Sequence, residues 1–304
     1  MMRIRRFIIS GGLALSFFLL AFFIYSIGAS VSPRPVKPAA TVSKTVKYQR
    51  DGCQTNGLKI NARSVAVIDN DQGAWLYAKQ PDDVRSVASL TKLLTAMVFL
   101  DSKANPNKVV QITPDDCFES SRSRIYQRET YRAIDLLHIA LIASDNRAAR
   151  ALARASGLPL QQFIRRMNEK ARSLGMTNTK MFEVTGLDER NVSTAADIAI
   201  LVNEAMKYPL IRQATSKYKY TCRLQNRKRV KTFTNTNRLI KSKWEVLTGK
   251  TGYILESAYC LATILRDAGG RELTVVVLGS PSNGSRFTAA KRLAEYGFKQ
   301  AGRS

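Results

Sequence analysis

Histidine is nearly absent from this chain: its 304 residues contain one, and the four cysteines include no Cys-x-x-Cys pair. The common His and Cys metal sites need several such ligands at short spacings, so the sequence predicts no metal site. A Ser-His-Asp triad would have to use His138, which lies in an apolar stretch with no polar motif beside it. We therefore predict that His138 is a buried core residue rather than a catalytic one.

Acidic residues are also scarce, with 23 Asp and Glu against 48 Lys and Arg, which gives a formal net charge of +25. Such a charge raises nucleic acid as a partner, and the basic run from Arg223 to Lys231 is the best local candidate. An exported chain, however, meets anionic wall polymers and lipid headgroups rather than nucleic acid. We expect no nucleic-acid partner and interpret the basic run as the solvated face of a hairpin.

The N-terminus indicates export. Three arginines within the first six residues precede an uncharged apolar run from Phe7 to Ala29, which is long enough to cross a bilayer as a helix. Because Ile27-Gly28-Ala29 is a mediocre cleavage site, a retained membrane anchor over residues 1–29 is favoured over a cleaved signal. Either segment places the body of the chain outside the cytoplasm, as in a periplasm. The proline-rich stretch 30–60 is typical of a linker, and residues 61–304 are left as the folded domain.

The hydrophobic pattern changes period twice within this folded domain. Alternating apolar residues and turn signals predict strands near both of its ends, over 64–68, 74–77, 246–254, 259–266 and 272–278. Helical spacing predicts helices over 89–100, 134–143 with a continuation over 148–155, 160–174, 194–206 and 287–301. The two sets of strands can pair only if the helical part is inserted between them. The expected fold is therefore an α+β domain with an antiparallel sheet, flanking helices and an inserted helical subdomain.

Ser89 and Lys92 stand three residues apart at the start of an apolar helix. This spacing places both side chains on nearly the same helix face, so the amine can reach the hydroxyl. A serine hydroxyl needs a base to become a good nucleophile, and a buried lysine can serve because burial favours the neutral amine. The Ser-x-x-Lys pattern recurs at Ser216 and Lys219 in a polar stretch, and we interpret that copy as chance.

Two further motifs follow in order. Ser144-Asp145-Asn146 comes directly after the buried helix, and Lys250-Thr251-Gly252 lies in a predicted strand. An edge strand can pair with an extended peptide, its glycine allows close approach, and the lysine and threonine offer a cation and a hydroxyl to a carboxylate. A phosphate loop is excluded, because its first glycine would have to occupy the position of Trp244. Both motifs thus suit a cleft between the helical part and the sheet.

The ordered triple is the signature of penicillin-binding proteins and class A β-lactamases. From Ser64 onward the chain resembles the low-molecular-mass penicillin-binding proteins, which are serine D-alanyl-D-alanine carboxypeptidases and endopeptidases of bacterial cell walls. It looks most like their short periplasmic endopeptidase branch, which lacks an extra C-terminal β domain. Beyond the triple, the resemblance is carried by the segments VASLTKLLTAMV, SDNRAARALA, FIRRMNEKARSLGMTNT, EVTGLDERNVSTAADIA, FTNTNRLI and TGKTGY. It implies the β-lactamase/DD-peptidase-like fold, with a five-stranded antiparallel sheet.

The resemblance also implies a reaction. Ser89 would be the acylated nucleophile, Lys92 the general base and Ser144 a proton relay. The enzyme would cleave D-Ala-linked bonds of peptidoglycan stem peptides without a cofactor. β-Lactam antibiotics would form the same ester on Ser89 and remain bound as covalent inhibitors.

By the same resemblance, five residues form the substrate-binding part of the cleft. Asn146 would contact the substrate backbone, Lys250 would shape the electrostatics and Thr251 would bind the carboxylate. Gly252 would allow the strand to approach closely, and the backbone N–H of Tyr253 would share an oxyanion hole with that of the nucleophile.

Three questions stay open in the sequence. Class A β-lactamases deacylate with a Glu that has an Asn four residues later, and no Glu here has one, which disfavours a β-lactamase. A non-catalytic wall-binding protein of the same fold is a further alternative. Ile254, Leu255 and Ala258 stand where the family commonly has polar residues and then Ala-Gly, a departure that bears on substrate preference and, to a lesser degree, on activity. The sequence also does not decide whether the leaving group is a terminal D-alanine, as in a carboxypeptidase, or a cross-link amine, as in an endopeptidase.

Overall fold

The computed structural model describes residues 57–120 and 123–302. The predicted membrane segment 1–29 and the predicted linker up to residue 56 lie outside the described residues. No helix within the described ranges is both long and apolar enough to cross a membrane.

The secondary structure of these described ranges alternates between short strands and helices. The strands, in chain order, are β1 (Ser64–Asp69), β2 (Trp75–Lys79), β3 (Arg85–Ser86), β4 (Val109–Gln111), β5 (Thr130–Arg132), β6 (Val192–Ser193), β7 (Lys219–Arg223), β8 (Val230–Thr234), β9 (Glu245–Ile254), β10 (Ala258–Arg266) and β11 (Glu272–Ser280). The α-helices are α1 (Thr91–Asp101), α2 (Pro114–Cys117), α3 (Ala133–Ile142), α4 (Asn146–Ala155), α5 (Leu160–Ser173), α6 (Ala195–Met206), α7 (Pro209–Ser216) and α8 (Asn283–Ala301).

A five-stranded antiparallel sheet lies at the centre of the fold, in the order β2-β1-β11-β10-β9. The first strand pairs with the last, with Ser64 opposite Leu278. The whole segment between β2 and β9, which contains seven of the helices described above, is thus inserted into the sheet. This confirms the predicted α+β architecture, and it leaves β9 at a sheet edge.

Both faces of the sheet are covered. All six residues of β1 are buried, and alternate side chains belong to different cores. Ala66 and Ile68 pack into the core shared with the inserted helices, whereas Val65 and Val67 pack with residues of α8. Because successive side chains of a strand point to opposite faces, the helical subdomain and α8 cover opposite sides of the sheet.

The predicted continuation of the helix 134–143 into 148–155 is wrong, since α3 and α4 are separate helices. Ser144 has a φ of +59°, a left-handed conformation that an α-helix cannot contain. Asp145 then caps α4, accepting a hydrogen bond of 3.0 Å from the backbone N–H of Ala148. The chain therefore turns between the two helices, at the residues of the second motif.

Two ambiguous features of the sequence have simple structural explanations. Ser216 is the last residue of α7 and Lys219 the first of β7, so the second Ser-x-x-Lys copy has no helical spacing. His138 is buried, with Nδ1 2.9 Å from the carbonyl oxygen of Ile134 and its ring stacked on Tyr220. It is a core residue, as predicted. The cysteines within the described part, Cys117, Cys222 and Cys260, are free thiols.

Candidate active site

Ser89 and Lys92 lie at the entrance to α1. Ser89 occupies a 3-10 turn, Ala88–Leu90, so the α-helix begins at Thr91 rather than at Ser89 as predicted. The Nζ of Lys92 is 2.8 Å from the Oγ of Ser89, 2.6 Å from the Oδ1 of Asn146 and 2.6 Å from the carbonyl oxygen of Thr185. The amide and carbonyl oxygens can only accept hydrogen bonds. A neutral lysine therefore donates both N–H groups to them and directs its lone pair at the serine hydroxyl.

The environment of Lys92 makes its neutral form accessible. The side chain is only 1% exposed, and this burial lowers its pKa to about 7. The negative charges of Glu183 and Asp145 oppose the shift, and the positive charge of Arg150 adds to it. An unperturbed lysine has a pKa near 10.4 and is almost fully protonated at neutral pH. Lys92 instead titrates where a general base works best.

Glu183 fixes the loop that supplies one of the acceptors of Lys92. Its carboxylate accepts hydrogen bonds from the N–H and the hydroxyl of Thr185, both at 2.6 Å, from the N–H of Gly186, and from the side chain of Asn191 at 2.9 Å. Glu183 belongs to no motif that was singled out from the sequence. It lies in a segment that contributed to the family resemblance, but a carboxylate that caps loop N–H groups has no spacing rule by which to recognise it.

Gly186 shows how closely this loop packs against the turn that carries Ser89. Its φ is +83°, and a Cβ there would lie 2.0 Å from the carbonyl oxygen of Ala88. Only glycine fits this position. The loop and the turn are therefore in direct backbone contact.

Ser144 and the buried Lys250 form a second hydrogen-bonded pair. The Nζ of Lys250, 1% exposed, donates to the Oγ of Ser144 at 2.7 Å and to the carbonyl oxygen of Thr251 at 2.8 Å. Burial lowers the pKa of Lys250 well below its ordinary value, and the positive charges of Lys92 and Arg286 lower it further. Lys92 is thus close enough to affect the protonation of Lys250.

The edge strand β9 passes directly beside the turn of Ser89. A Cβ on Gly252 would lie 2.9 Å from the carbonyl oxygen of Val87 and 3.1 Å from the backbone nitrogen of Ser89, so a side chain would push the strand away. The hydroxyls of Thr251 and Thr236 are 2.6 Å apart. Tyr253 is 46% exposed and stacks on Tyr259 of the neighbouring strand.

Arg286 of α8 supports this strand from behind. Its buried guanidinium donates to the carbonyl oxygens of Gly252, at 2.8 Å, and Cys260, at 3.1 Å. Burial lowers its pKa to about 10. Neither Arg286 nor Thr236 was singled out from the sequence, because each acts through tertiary contacts and belongs to no local motif.

The structure thus brings the three predicted motifs together. One hydrogen-bonded group contains Ser89, Lys92 and Asn146, and a second contains Ser144 and Lys250. Because Gly252 has no side chain, β9 packs directly against the turn of Ser89. A serine hydroxyl, two amines of lowered pKa and the edge strand β9 therefore meet at the junction of the helical subdomain and the sheet.

Solved structures with this fold define the class. The crystal structure of the Streptomyces K15 DD-transpeptidase matches with a TM-score of 0.74 and 29% sequence identity, covering 80% of this chain and 98% of that one. Penicillin-binding protein D2 from Listeria monocytogenes, in an ampicillin-bound form, matches with a TM-score of 0.70 and 29% identity, covering 79% and 98%. Fold and motifs together are those of the serine DD-peptidases.

The family follows from the sequence comparisons. Residues 50–282 match the family described as D-alanyl-D-alanine carboxypeptidase. A D-alanyl-D-alanine endopeptidase of Pseudomonas aeruginosa is 37% identical over 239 residues, which is 77% of this chain and 76% of that protein. The chain belongs to the D-alanyl-D-alanine carboxypeptidase family of serine hydrolases, which confirms the resemblance inferred from its motifs.

Proposed function

We propose that this protein is a serine DD-peptidase that cleaves D-Ala-linked bonds of peptidoglycan stem peptides through an acyl-enzyme on Ser89. The observation that carries the proposal is the 2.8 Å contact of Ser89 with Lys92, whose two other partners accept both of its N–H groups. A buried amine with a pKa of about 7 in that position is a base aimed at a nucleophile.

The reaction has two halves. In the first, Lys92 takes the hydroxyl proton as the Oγ of Ser89 bonds to the D-alanyl carbonyl carbon. The C–N bond of the tetrahedral intermediate then breaks, and the departing amine receives that proton, passed on by Lys92 or by the hydroxyl of Ser144. In the second half, water attacks the ester with Lys92 again as base, and Ser89 leaves with the proton.

The edge strand provides the substrate contacts. An extended peptide adds to β9 by main-chain hydrogen bonds, and Lys250 and the hydroxyl of Thr251 bind its carboxylate. Asn146, whose Oδ1 is occupied by Lys92, has its amide N–H₂ left to donate to a substrate carbonyl. The backbone N–H groups of Ser89 and Tyr253 form the oxyanion hole in this proposal.

The proposal extends to inhibitors and to leaving groups. The ampicillin-bound relative supports covalent inhibition by β-lactams on the same serine. The relative from Pseudomonas aeruginosa is named an endopeptidase and the family a carboxypeptidase, so the leaving group is either a cross-link amine or a terminal D-alanine. Deacylation of β-lactams is slow in this proposal, because no Glu–Asn pair of the class A type is present.

We also propose how the chain is organised and placed. Residues 1–29 export the protein and anchor it in the membrane, residues 30–60 form the linker, and residues 61–304 form the DD-peptidase domain. The arginines before the apolar run support this orientation, with catalysis outside the cytoplasm. The buried side chains of Ile60 and Ala62 extend the packed region to the end of the linker.

The test is covalent labelling of the purified full chain with a fluorescent penicillin. We expect stable labelling of the wild type and none of Ser89→Ala. Ser216→Ala is the matched control, because it alters the other Ser-x-x-Lys copy, and it should label like the wild type. A folded wild type that takes no label would refute the catalytic mechanism and favour wall binding. A label that is rapidly released would favour a β-lactamase.

A further inference from the structure

A cavity of about 1080 Å³ lies beside the candidate active site and has no part in the mechanism above. It is bounded by α2, by the segment from the end of α4 to the start of α5, and by the loop 183–189. Glu183 stands in its wall, two residues before the carbonyl that binds Lys92. The cavity therefore adjoins the site through the loop that holds the general base.

The helix α4 connects the cavity to the substrate contact at Asn146. Arg150 and Ala153 line the cavity, four and seven residues after Asn146. These spacings place all three residues on one helix face. A peptide whose backbone contacts Asn146 thus continues into the cavity if it follows this face. In the proposed function the carboxylate of the leaving group binds at β9, so a peptide segment that extends along α4 belongs to the acyl side of the scissile bond.

The walls of the cavity suit a peptide ligand. Leu158 and Leu187 contribute apolar surface, and two large apolar side chains stand exposed at the rim: Phe118, 65% exposed, and Leu160, 56% exposed. Large pockets with apolar walls and a few polar groups are typical of ligand sites. Exposed apolar side chains gathered at one opening are typical of contact surfaces.

The rim carries an unusual charge for so basic a chain. Asp116 and Asp188 are engaged in ion pairs, with Arg154 at 2.7 Å and Arg190 at 2.5 Å. Three other carboxylates of the lining are exposed and form no ion pair within the described residues: Asp115, Glu119 and Glu189. Arg150 also lines the cavity without an ion pair in the described ranges, but the carboxylates outnumber the cations. The cavity thus has an acidic rim in a chain of net charge +25, which attracts a cationic group.

We propose that this cavity binds the acyl-donor stem peptide, and that its acidic rim selects donors whose amine-bearing side chain is free. The inference rests on the proposed function. A peptidoglycan cross-link joins a D-alanyl carbonyl to a side-chain amine, so stem peptides contain an amine-bearing residue. Where that amine is not itself acylated, it is an ammonium at neutral pH and complements the rim. The enzyme then prefers a donor stem peptide whose own side-chain amine is free, as at the end of a cross-linked series. It disfavours a donor whose side-chain amine is itself acylated by another cross-link.

The test uses two synthetic peptides ending in Lys-D-Ala-D-Ala, both acetylated at the α-amine, and one also at the lysine side chain. We expect kcat/KM of the full-length wild type to be about tenfold higher for the peptide with the free amine, mainly because its KM is lower. This magnitude is typical of interactions with a few partly exposed charges. The preference should fall as salt rises from about 0.05 to about 0.5 M, because screening weakens exposed charges. The triple variant Asp115→Asn, Glu119→Gln, Glu189→Gln should bring the ratio close to one.

The matched control removes three carboxylates elsewhere, in the variant Asp71→Asn, Glu204→Gln, Glu295→Gln, and should keep the preference. Equal rates for the two peptides in the wild type, or a preference that survives the rim variant, would overturn the inference. Equal losses in both triple variants would do the same, since they would reveal an effect of net charge alone. Penicillin labelling of each protein separates the two failures: a folded wild type without label refutes the proposed function as well.

Discussion

The two lysines of the candidate site are equally buried, yet their surroundings differ. Lys92 has three oxygen partners, and the carboxylates of Glu183 and Asp145 act on it from nearby. Lys250 has two oxygen partners, and the charges that act on it, those of Lys92 and Arg286, are positive. The pKa of both lysines falls through burial, but only that of Lys92 is held back by negative charge.

This difference separates two tasks for one residue type. A base must exist in both protonation states near the working pH, and the carboxylates beside Lys92 keep its pKa at about 7. No negative charge of the described residues offsets the effect of burial on Lys250 when the site holds no anion. A bound substrate carboxylate would supply that charge and raise the pKa of Lys250 again. We infer that Lys92 is arranged for proton transfer and Lys250 for recognition of an anion.

The largest expected difference between the two lysines is in the rate of the acylation step. Replacing the base, as in Lys92→Met, should lower the limiting rate of penicillin acylation by about 10²- to 10⁴-fold, the usual contribution of a general base. Stopped-flow kinetics at saturating penicillin measures that rate. A loss below about tenfold would show that another group activates Ser89.

Lys250→Met should act on binding instead. Without the cation, we expect the dissociation constant of the non-covalent penicillin complex to rise by about ten- to a hundredfold, as for a lost hydrogen bond to a charged group. The limiting acylation rate should change less than in Lys92→Met. The concentration dependence of acylation gives both quantities. The reverse pattern, an unchanged dissociation constant with a collapsed rate, would assign proton transfer to Lys250.

A smaller effect concerns pH. Acylation needs neutral Lys92, so its rate should rise with pH around a midpoint of about 7. Glu183→Gln removes a negative charge that raises the pKa of Lys92, so the midpoint should move down by up to about one pH unit. Glu169→Gln, which removes an exposed carboxylate of α5, is the control and should leave the midpoint in place. A midpoint that moved up or stayed in Glu183→Gln would exclude this electrostatic coupling.

The smallest expected effect is on stability, at the turn between β9, the strand that carries Lys250, and β10. Ala258 has a φ of +51°, a left-handed conformation that favours glycine. Ala258→Gly should raise the free energy of unfolding by up to about 1 kcal/mol, since it relieves this strain. The melting temperature would then rise by about 2 to 4 °C. A lower melting temperature in the variant would mean that the alanine side chain stabilises the turn.

Most of the predictions that the structure confirms were based on hydrophobic periodicity and on short sequence motifs. The strands of the central sheet and the apolar stripe of α8 were recognisable from period alone, and the pairing of the chain ends then required an inserted helical part. The three motifs were recognisable because their order and context are specific, although each is weak alone. Their residues lie close together because the start of α1, the end of α3 and the edge strand β9 meet at one place in the fold.

What could not be predicted depends on backbone conformation and distant contacts. Nothing local favours a left-handed Ser144, so the two helices were expected to be continuous; the cost of that conformation is offset by capping and by the contact with Lys250. Glu183 and Arg286 bind backbone groups that the fold brings to them. Such partners have no fixed spacing along the chain.

The pairing of β1 with β11 also bears on when the enzyme becomes active during its synthesis. Ser89 leaves the ribosome early, but the strand that flanks it, the guanidinium that supports that strand and the partner of β1 all come from the last quarter of the chain. Contacts this distant in sequence are slow to form and require the late segments to be present. A nascent or truncated chain that lacks α8 therefore has the serine without the complete site, and we expect it to be inactive until α8 has been synthesised and has folded.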